Sequence, residues 1–221
     1  HGAALFEADL QEAELWRADM SQVNLARANL QGALLGQVNL QRANLEGVNL
    51  KEAALGRASL QCTNLRNANM QGAILIHANL QEATLAGANM RGAAMRGANL
   101  RSAYVLDADL RQVDLRDSNL EGTYISRANL QQAVLKNANL QSINLENVEL
   151  QQANLRDASL EDATLTNVNM KDAKLRGASL RRATLHAVRL QGAELTTKQL
   201  AQARTLELVA LPDGTGLSAF G

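Results

Sequence analysis

The fold is decided by a repeat that is clearest in residues 26–50, ARANL QGALL GQVNL QRANL EGVNL. Each block of five ends in leucine, and a small residue lies two places before that leucine. This register holds over most of the chain. Every fifth residue from Leu5 to Leu200 is a large aliphatic, and 33 of these 40 residues are leucine. One repeating unit therefore accounts for almost the whole sequence.

A five-residue spacing excludes both regular types of secondary structure. An α-helix turns about 100° per residue, so side chains five apart would spread around its axis. A continuous β-strand alternates its faces, so successive leucines would point to opposite sides. The pattern predicts a short extended triplet instead, with its first and third residues inward and its second outward, followed by two residues that turn a corner. The chain then coils around its own leucines.

A weaker second period indicates how many sides each coil has. The outward residue before the leucine is Asn, Asp or Ser in 17 of 20 cases when its number ends in 9, and it is more varied when the number ends in 4. An alternation over ten residues requires an even number of sides if alternate sides are to stay alike. Four sides of five residues is the simplest solution. The asparagines are expected to brace the corners by bonding neighbouring backbone.

The repeat Ala-[Asp/Asn]-Leu-x-x, seen at residues 8–10, 28–30 and 98–100, resembles the pentapeptide-repeat family. The resemblance covers residues 3–200. It implies an all-β fold, a right-handed quadrilateral parallel β-helix (a solenoid) of about ten four-sided coils. Members of this family are abundant in cyanobacteria. Acidic members are known for mimicking duplex DNA and binding DNA gyrase.

The repeat pattern breaks near the carboxyl end, which predicts two regions. Residues 1–195 form the solenoid, and residues 196–221 form a short capping helix and a tail. Thr196 and Gln199 have the spacing of a capping box, so we expect a helix that runs to about Arg204 and covers the core. Pro212-Asp213-Gly214 is typical of a turn, here in a loosely packed tail.

Composition limits the classes of partner. Lys and Arg together number 22, and so do Asp and Glu, so the net charge favours neither nucleic acid nor an anionic membrane. The sequence shows neither an apolar run long enough to span a membrane nor a signal peptide, so no membrane contact is expected within this segment and the cytoplasm is favoured. Cys62 is the one cysteine, which fits a reducing compartment.

Catalytic and metal-binding chemistry has little support in the sequence. His77, His186 and Cys62 are predicted to face outward on separate coils, without a second ligand or a paired carboxylate at suitable spacing. We therefore expect no enzyme activity, no catalytic residues, no metal site and no cofactor.

Two groups of outward apolar residues are candidate interfaces. The first lies on the side that contains Leu15, beside Gly36 and Gly56, and its members are Leu34, Ala54, Ile74, Ile76, Ala94 and Val134. The second lies on the opposite side and consists of Tyr104, Leu106 and Tyr124. Aligned apolar residues on a flat face suit a protein interface, although a stable solenoid also tolerates such residues without a partner.

Three functions remain open at this point. The leading hypothesis is a non-catalytic protein-interaction scaffold or spacer module, with an unknown protein partner or weak homo-oligomerisation. The alternative is a DNA-mimic-like inhibitor or protector of a DNA-handling enzyme such as gyrase, which the neutral surface disfavours because duplex DNA is densely charged. The third is a mechanical stabiliser without a specific partner.

Overall fold

The computed structural model describes residues 5–217, so residues 1–4 and 218–221 of the two predicted regions lie outside the described residues. Parallel bridges join residues that are twenty apart, such as Asp9 with Asn29 and Glu14 with Leu34. Twenty residues therefore make one coil, and four triplets make its four sides. The predicted parallel β-solenoid is confirmed.

The four walls of the solenoid are named here by the outward residues that stack along them. Wall 1 carries the column from Asn24 to Thr184, wall 2 from Asp9 to Arg189, wall 3 from Glu14 to Glu194 and wall 4 from Asp19 to Ser179. Walls 1 and 3 are opposite each other because they lie ten residues apart within each coil. The candidate interfaces therefore occupy opposite walls.

Regular strands form on wall 1 only in its later coils. The strands of the six-stranded parallel sheet are β1 (Tyr104–Leu106), β2 (Tyr124–Ser126), β3 (Asn144–Glu146), β4 (Thr164–Thr166), β5 (Thr184–His186) and, after a helix, β6 (Thr205–Glu207). These regular strands span about five turns, whereas the column of wall 2, from Asp9 to Arg189, has one residue on each of ten coils. Elsewhere the twenty-residue register is kept by single bridges, because only one outward residue separates successive corners.

The core is a stack of aliphatic side chains. Inward leucines such as Leu50 and inward alanines such as Ala53 are fully buried. The backbone joins each coil to the next: Leu30 N–H donates to the Asn49 carbonyl at 2.7 Å, and Asn49 N–H donates to the Ala28 carbonyl at 2.9 Å. Each coil therefore buries apolar side chains and at the same time pairs its backbone N–H and carbonyl groups with the adjacent coils.

The second corner residue of every repeat adopts a left-handed backbone. From Glu7 to Gly192 these residues have φ between 51° and 79°. Glycine adopts this conformation without strain, whereas other residues pay about 1 kcal/mol or more. Most corner positions are nevertheless not glycine, so the solenoid enforces a conformation that the local sequence disfavours.

The asparagines do more than brace their own corners. Asn49 Oδ1 accepts the backbone N–H of Lys51 at 3.2 Å, as expected from the sequence. Its side-chain amide also donates to Asn29 Oδ1 at 2.9 Å, and Asn69 donates to Asn49 at 3.2 Å. Side-chain amides on wall 4 bond the coil before them in the same way, so the asparagines of walls 2 and 4 form ladders along the rod axis.

The carboxyl end of the rod is closed by helix α1 (Thr197–Leu200). The capping box of Thr196 and Gln199 is present, and Gln199 Nε2 donates to the carbonyls of Leu175 and Ala178 at 2.7 and 2.9 Å. The helix does not extend to Arg204. The reason is that Arg204 N–H already pairs with the Ala183 carbonyl, which returns the chain to the solenoid.

Beyond β6 the chain forms a small hairpin of β7 (Val209–Ala210) and β8 (Gly216–Leu217), which are antiparallel. The turn predicted at Pro212-Asp213-Gly214 lies between them. Val209 is fully buried and Ala210 pairs with Arg189 of wall 2, so this segment packs more tightly than the loose tail that the sequence predicted. Over residues 5–217, no helix has the length and apolar character needed to cross a membrane.

Candidate protein-binding surface

A shallow apolar groove occupies the amino-terminal half of wall 3. Its apolar floor and sides are formed by the indole of Trp16, the side chains of Leu34, Ala54 and Ile74, and the two glycines Gly36 and Gly56, with Glu14 at its end. The large members are exposed: 57% for Trp16, 47% for Leu34 and 45% for Ile74. Clustered exposure of this kind is characteristic of interaction surfaces.

Local packing fixes the position of the indole. Trp16 and Gly36 stack one coil apart in the corner column that follows wall 3, which is the line of first corner residues twenty apart. A Cβ on Gly36 would clash with Trp16 Nε1. The missing side chain at residue 36 therefore lets the indole lie across the next coil. The Arg17 guanidinium lies 4.1 Å from the centre of the Trp16 ring and also donates to Gln37, which further holds the indole in place.

The structure brings together most, but not all, of the first candidate group. Leu34, Ala54, Ile74 and Ala94 form one column of parallel bridges, and Ile76 lies at the adjoining corner. Val134 belongs to the same column, but Asp114 lies between it and Ala94, so it is separated from the groove. The sequence interpretation missed Trp16, although the twenty-residue spacing from Gly36 would have identified it.

The second candidate group is smaller and more polar than its sequence indicated. Tyr104 is 55% exposed and pairs with Tyr124 on the next coil, while Leu106 is half-buried beside them. The Tyr124 hydroxyl donates to Glu146 at 2.7 Å, so this ring is already held by its own rod. Within this group Tyr104 is the one exposed aromatic side chain, so the three residues do not form a continuous apolar strip.

Beyond the groove, the corner column that contains Trp16 and Gly36 consists of charged residues. After Trp16, Gly36, Gly56 and Ile76, the column continues with Arg96, Arg116, Lys136, Arg156 and Arg176. Three of these cations are paired: Arg96 with Asp117 at 3.0 Å, Arg116 with Asp114 and Arg156 with Glu194 at 2.8 Å. The column thus changes from apolar to polar at the fifth coil, which limits the groove.

Arg116 also determines the protonation of its neighbour. It donates hydrogen bonds to Asp114, and these hold the pKa of that carboxyl below its usual range despite partial desolvation. Asp114 therefore remains ionised at neutral pH and marks a polar end to the apolar strip.

The residues considered for catalysis are dispersed. His77 lies on the corner after wall 3, while His186 lies after wall 1 and is 3.1 Å from Glu207. Cys62 lies after wall 4, where burial and a contact with Glu82 raise the pKa of its thiol. Between Leu5 and Leu217 there is no group of three or more His, Cys, Asp or Glu residues placed to hold a metal ion.

The family model described as pentapeptide repeats (8 copies) matches this chain over residues 3–42, 39–75, 78–117, 114–152, 143–182 and 165–197. No curated protein sequence matches the chain. Among solved structures, HetL, a pentapeptide repeat protein involved in heterocyst differentiation regulation from the cyanobacterium Nostoc, is 32% identical. The match covers 96% of this chain and 92% of HetL, with a TM-score of 0.44.

Two further solved structures are similar over different lengths. Rfr23 from the cyanobacterium Cyanothece is 41% identical over 38% of this chain and 58% of its own, with a TM-score of 0.38. QnrB1, a plasmid-mediated fluoroquinolone resistance protein, is 16% identical over 96% of this chain and 92% of its own, with a TM-score of 0.42. Because the repeat model matches nearly every coil, this chain belongs to the pentapeptide repeat family.

Proposed function

We propose that this chain is a non-catalytic interaction scaffold that docks another protein molecule in the apolar groove of wall 3. The observation that carries the proposal is the continuous exposure of Trp16, Leu34 and Ile74 beside the low corners at Gly36 and Gly56. Aromatic and aliphatic anchors next to small residues suit close approach of a second surface.

The remaining surface is consistent with a scaffold. Asparagine side chains on walls 2 and 4 already donate and accept hydrogen bonds in their ladders. Many arginines pair with carboxylates of the same rod, as Arg127 does with Asp107 and Arg182 with Asp162. These groups lose hydrogen bonds when a partner covers them, which makes docking there costly. The groove on wall 3 has no such cost because its exposed atoms are mainly apolar.

Mimicry of duplex DNA has less support than docking. A mimic requires a wall with closely spaced negative charges, since B-DNA carries about one charge per 1.7 Å. On wall 3 the carboxylates of Asp114 and Glu194 are paired with Arg116 and Arg156, so acids and bases alternate instead of accumulating.

Photo-crosslinking tests docking in the groove. A benzophenone amino acid replaces Ala54 at the centre of the groove, and a matched variant carries it at Ser159 on wall 4, whose side chain makes no described hydrogen bond. Each purified protein is irradiated in an extract of its source organism, and adducts are identified by mass spectrometry. We expect one defined protein adduct from position 54 and none from position 159. The crosslinked protein can be a second copy of this chain or a different protein. Equal labelling from both positions, or none from either, contradicts the proposal.

A further inference from the structure

The outward side chains of the groove alternate in size along the rod. Leu34 is large, Ala54 is small, Ile74 is large and Ala94 is small, and parallel bridges place them on four successive coils. Such a surface is complementary to an inverted copy of itself when the two-fold axis that relates the copies lies midway between two coils. Each large side chain then faces a small one, which is the condition for close packing.

We propose that the groove binds a second copy of this chain in an antiparallel, two-fold symmetric pair. This inference rests on the proposed function, which it deepens by naming the partner. The two-fold axis lies parallel to the strands, midway between Ala54 and Ile74. Leu34 of one copy then packs on Ala94 of the second copy, and Ile74 packs on Ala54 of the second copy.

The residues of the corner column beside the groove also fit together in this register. Rotation about this axis places Ile76 of one copy over Gly56 of the second copy, where the absence of a side chain leaves room. Other arrangements lack this fit. With the axis through Ala54, Leu34 faces Ile74 while alanine faces alanine, which leaves a central gap. A parallel pair places Leu34 on Leu34 and Ile74 on Ile74.

Charge at the ends of the contact favours the same register. Trp16, on the first coil, comes opposite Arg116 of the second copy on the sixth coil, where the guanidinium can contact the exposed part of the indole. Arg17 likewise comes opposite Asp117 of the second copy, a carboxylate that also pairs with Arg96 of its own chain. Glu14 faces Asp114, a like charge, but that carboxylate is already bonded to Arg116. Both ends of the contact therefore contain opposite charges within reach.

The contact is small, so the pair is weak. Six coils spaced about 4.8 Å apart extend over about 24 Å, and a wall with its corners is roughly 15 Å wide. The buried face is therefore on the order of 400 Å² per copy, about half of the roughly 800 Å² per partner in a standard interface. We expect a dimer that forms at high protein concentration and dissociates on dilution.

Cysteine pairs test the register directly. In a Cys62→Ser background, Leu34→Cys and Ala94→Cys are combined and treated with a short bis-maleimide at high protein concentration. The two residues lie three coils apart in one chain, about 14 Å, whereas they face each other across the antiparallel pair. We expect a covalent dimer from the double variant on a denaturing gel, and no more than background from Leu34→Cys alone. Adding Ile74→Lys to the double variant should remove the dimer.

Different failures have different meanings. A dimer from Leu34→Cys alone that equals that of the double variant indicates a parallel pair and overturns the register. Sedimentation equilibrium that shows only monomer at every concentration overturns self-association. If the chain is monomeric and position 54 still crosslinks a different protein, this inference fails while the proposed function stands. If position 54 also gives no adduct, both fail.

Discussion

Truncation of one core leucine tests whether the rod is stabilised coil by coil. Leu100 lies on wall 4, is 1% exposed and is stacked between the inward residues Leu80 and Leu120 of the adjacent coils. Leu100→Ala removes three carbon atoms from this stack. Because coils on both sides are held by their own backbone hydrogen bonds, the walls cannot collapse fully into the space.

The expected loss follows from the transfer and cavity terms. Leucine-to-alanine changes in packed cores cost about 3–5 kcal/mol, and a site that cannot collapse lies toward the upper part of that range. Leu10→Ala is the matched control. Leu10 is also the last, inward residue of its triplet, but it lies on the opposite wall, wall 2, in the first described coil and is only partly buried. Its truncation should therefore cost about 2 kcal/mol or less.

Urea unfolding followed by far-UV circular dichroism measures both variants against the unaltered chain. The midpoint should shift clearly more for Leu100→Ala than for Leu10→Ala. Equal shifts would refute the reasoning, because they would show that the cost does not depend on cover from both neighbouring coils.

Three further substitutions test local features of the rod by the same unfolding assay. Asn49→Ala removes four side-chain hydrogen bonds, two of them in the ladder, and should cost about 2 kcal/mol of unfolding free energy. Ser59→Ala, which loses no described side-chain hydrogen bond, should be near neutral, and equal effects of the two changes would discount the ladder. Ala187→Gly relieves a φ of 53° and should stabilise by about 1 kcal/mol, while the same change at Ala86, whose φ is not positive, should destabilise. Hydrogen bonds from Arg127 hold the pKa of Asp107 below its usual 3.8. The ionised carboxylate therefore contributes to the stability of the fold above that pH, and this contribution is lost as the pH falls through the pKa of the folded state. The unfolding midpoint should be flat from pH 8 to about 5 and fall below about pH 4, and this fall should be smaller in Arg127→Gln.

The coil could be predicted from sequence because a five-residue aliphatic period has few physical solutions. Neither helix nor strand keeps Leu30, Leu35 and Leu40 on one side, so the chain must turn after each triplet. The ten-residue alternation of asparagine then indicated four sides, as the twenty-residue bridges show. The asparagine ladder was not predicted, because corner bonding alone explained those residues and the axial contact depends on coil stacking.

The candidate surface was only partly predictable. Leu34 and Ile74 were recognisable as outward because their position in the triplet determines their direction. Trp16 was missed because it occupies a corner, where direction depends on the left-handed backbone and on the empty space over Gly36. Val134 was included on register alone, and the paired charge of Asp114 and Arg116 that separates it becomes evident only from the stacked coils.

The most direct test of the central claim combines Leu34→Glu and Ile74→Lys with crosslinking from position 54. Both side chains face solvent in the single rod, so the free energy of unfolding of the double variant should be within about 1 kcal/mol of that of the unaltered chain. Burial of a few hundred Å² at about 25 cal/mol per Å² supplies the docking energy, and two charges in the groove remove it. The account predicts a folded protein that no longer yields the position 54 adduct. A folded double variant that crosslinks as before would contradict docking in the groove, and an unfolded one would contradict the outward direction of these side chains.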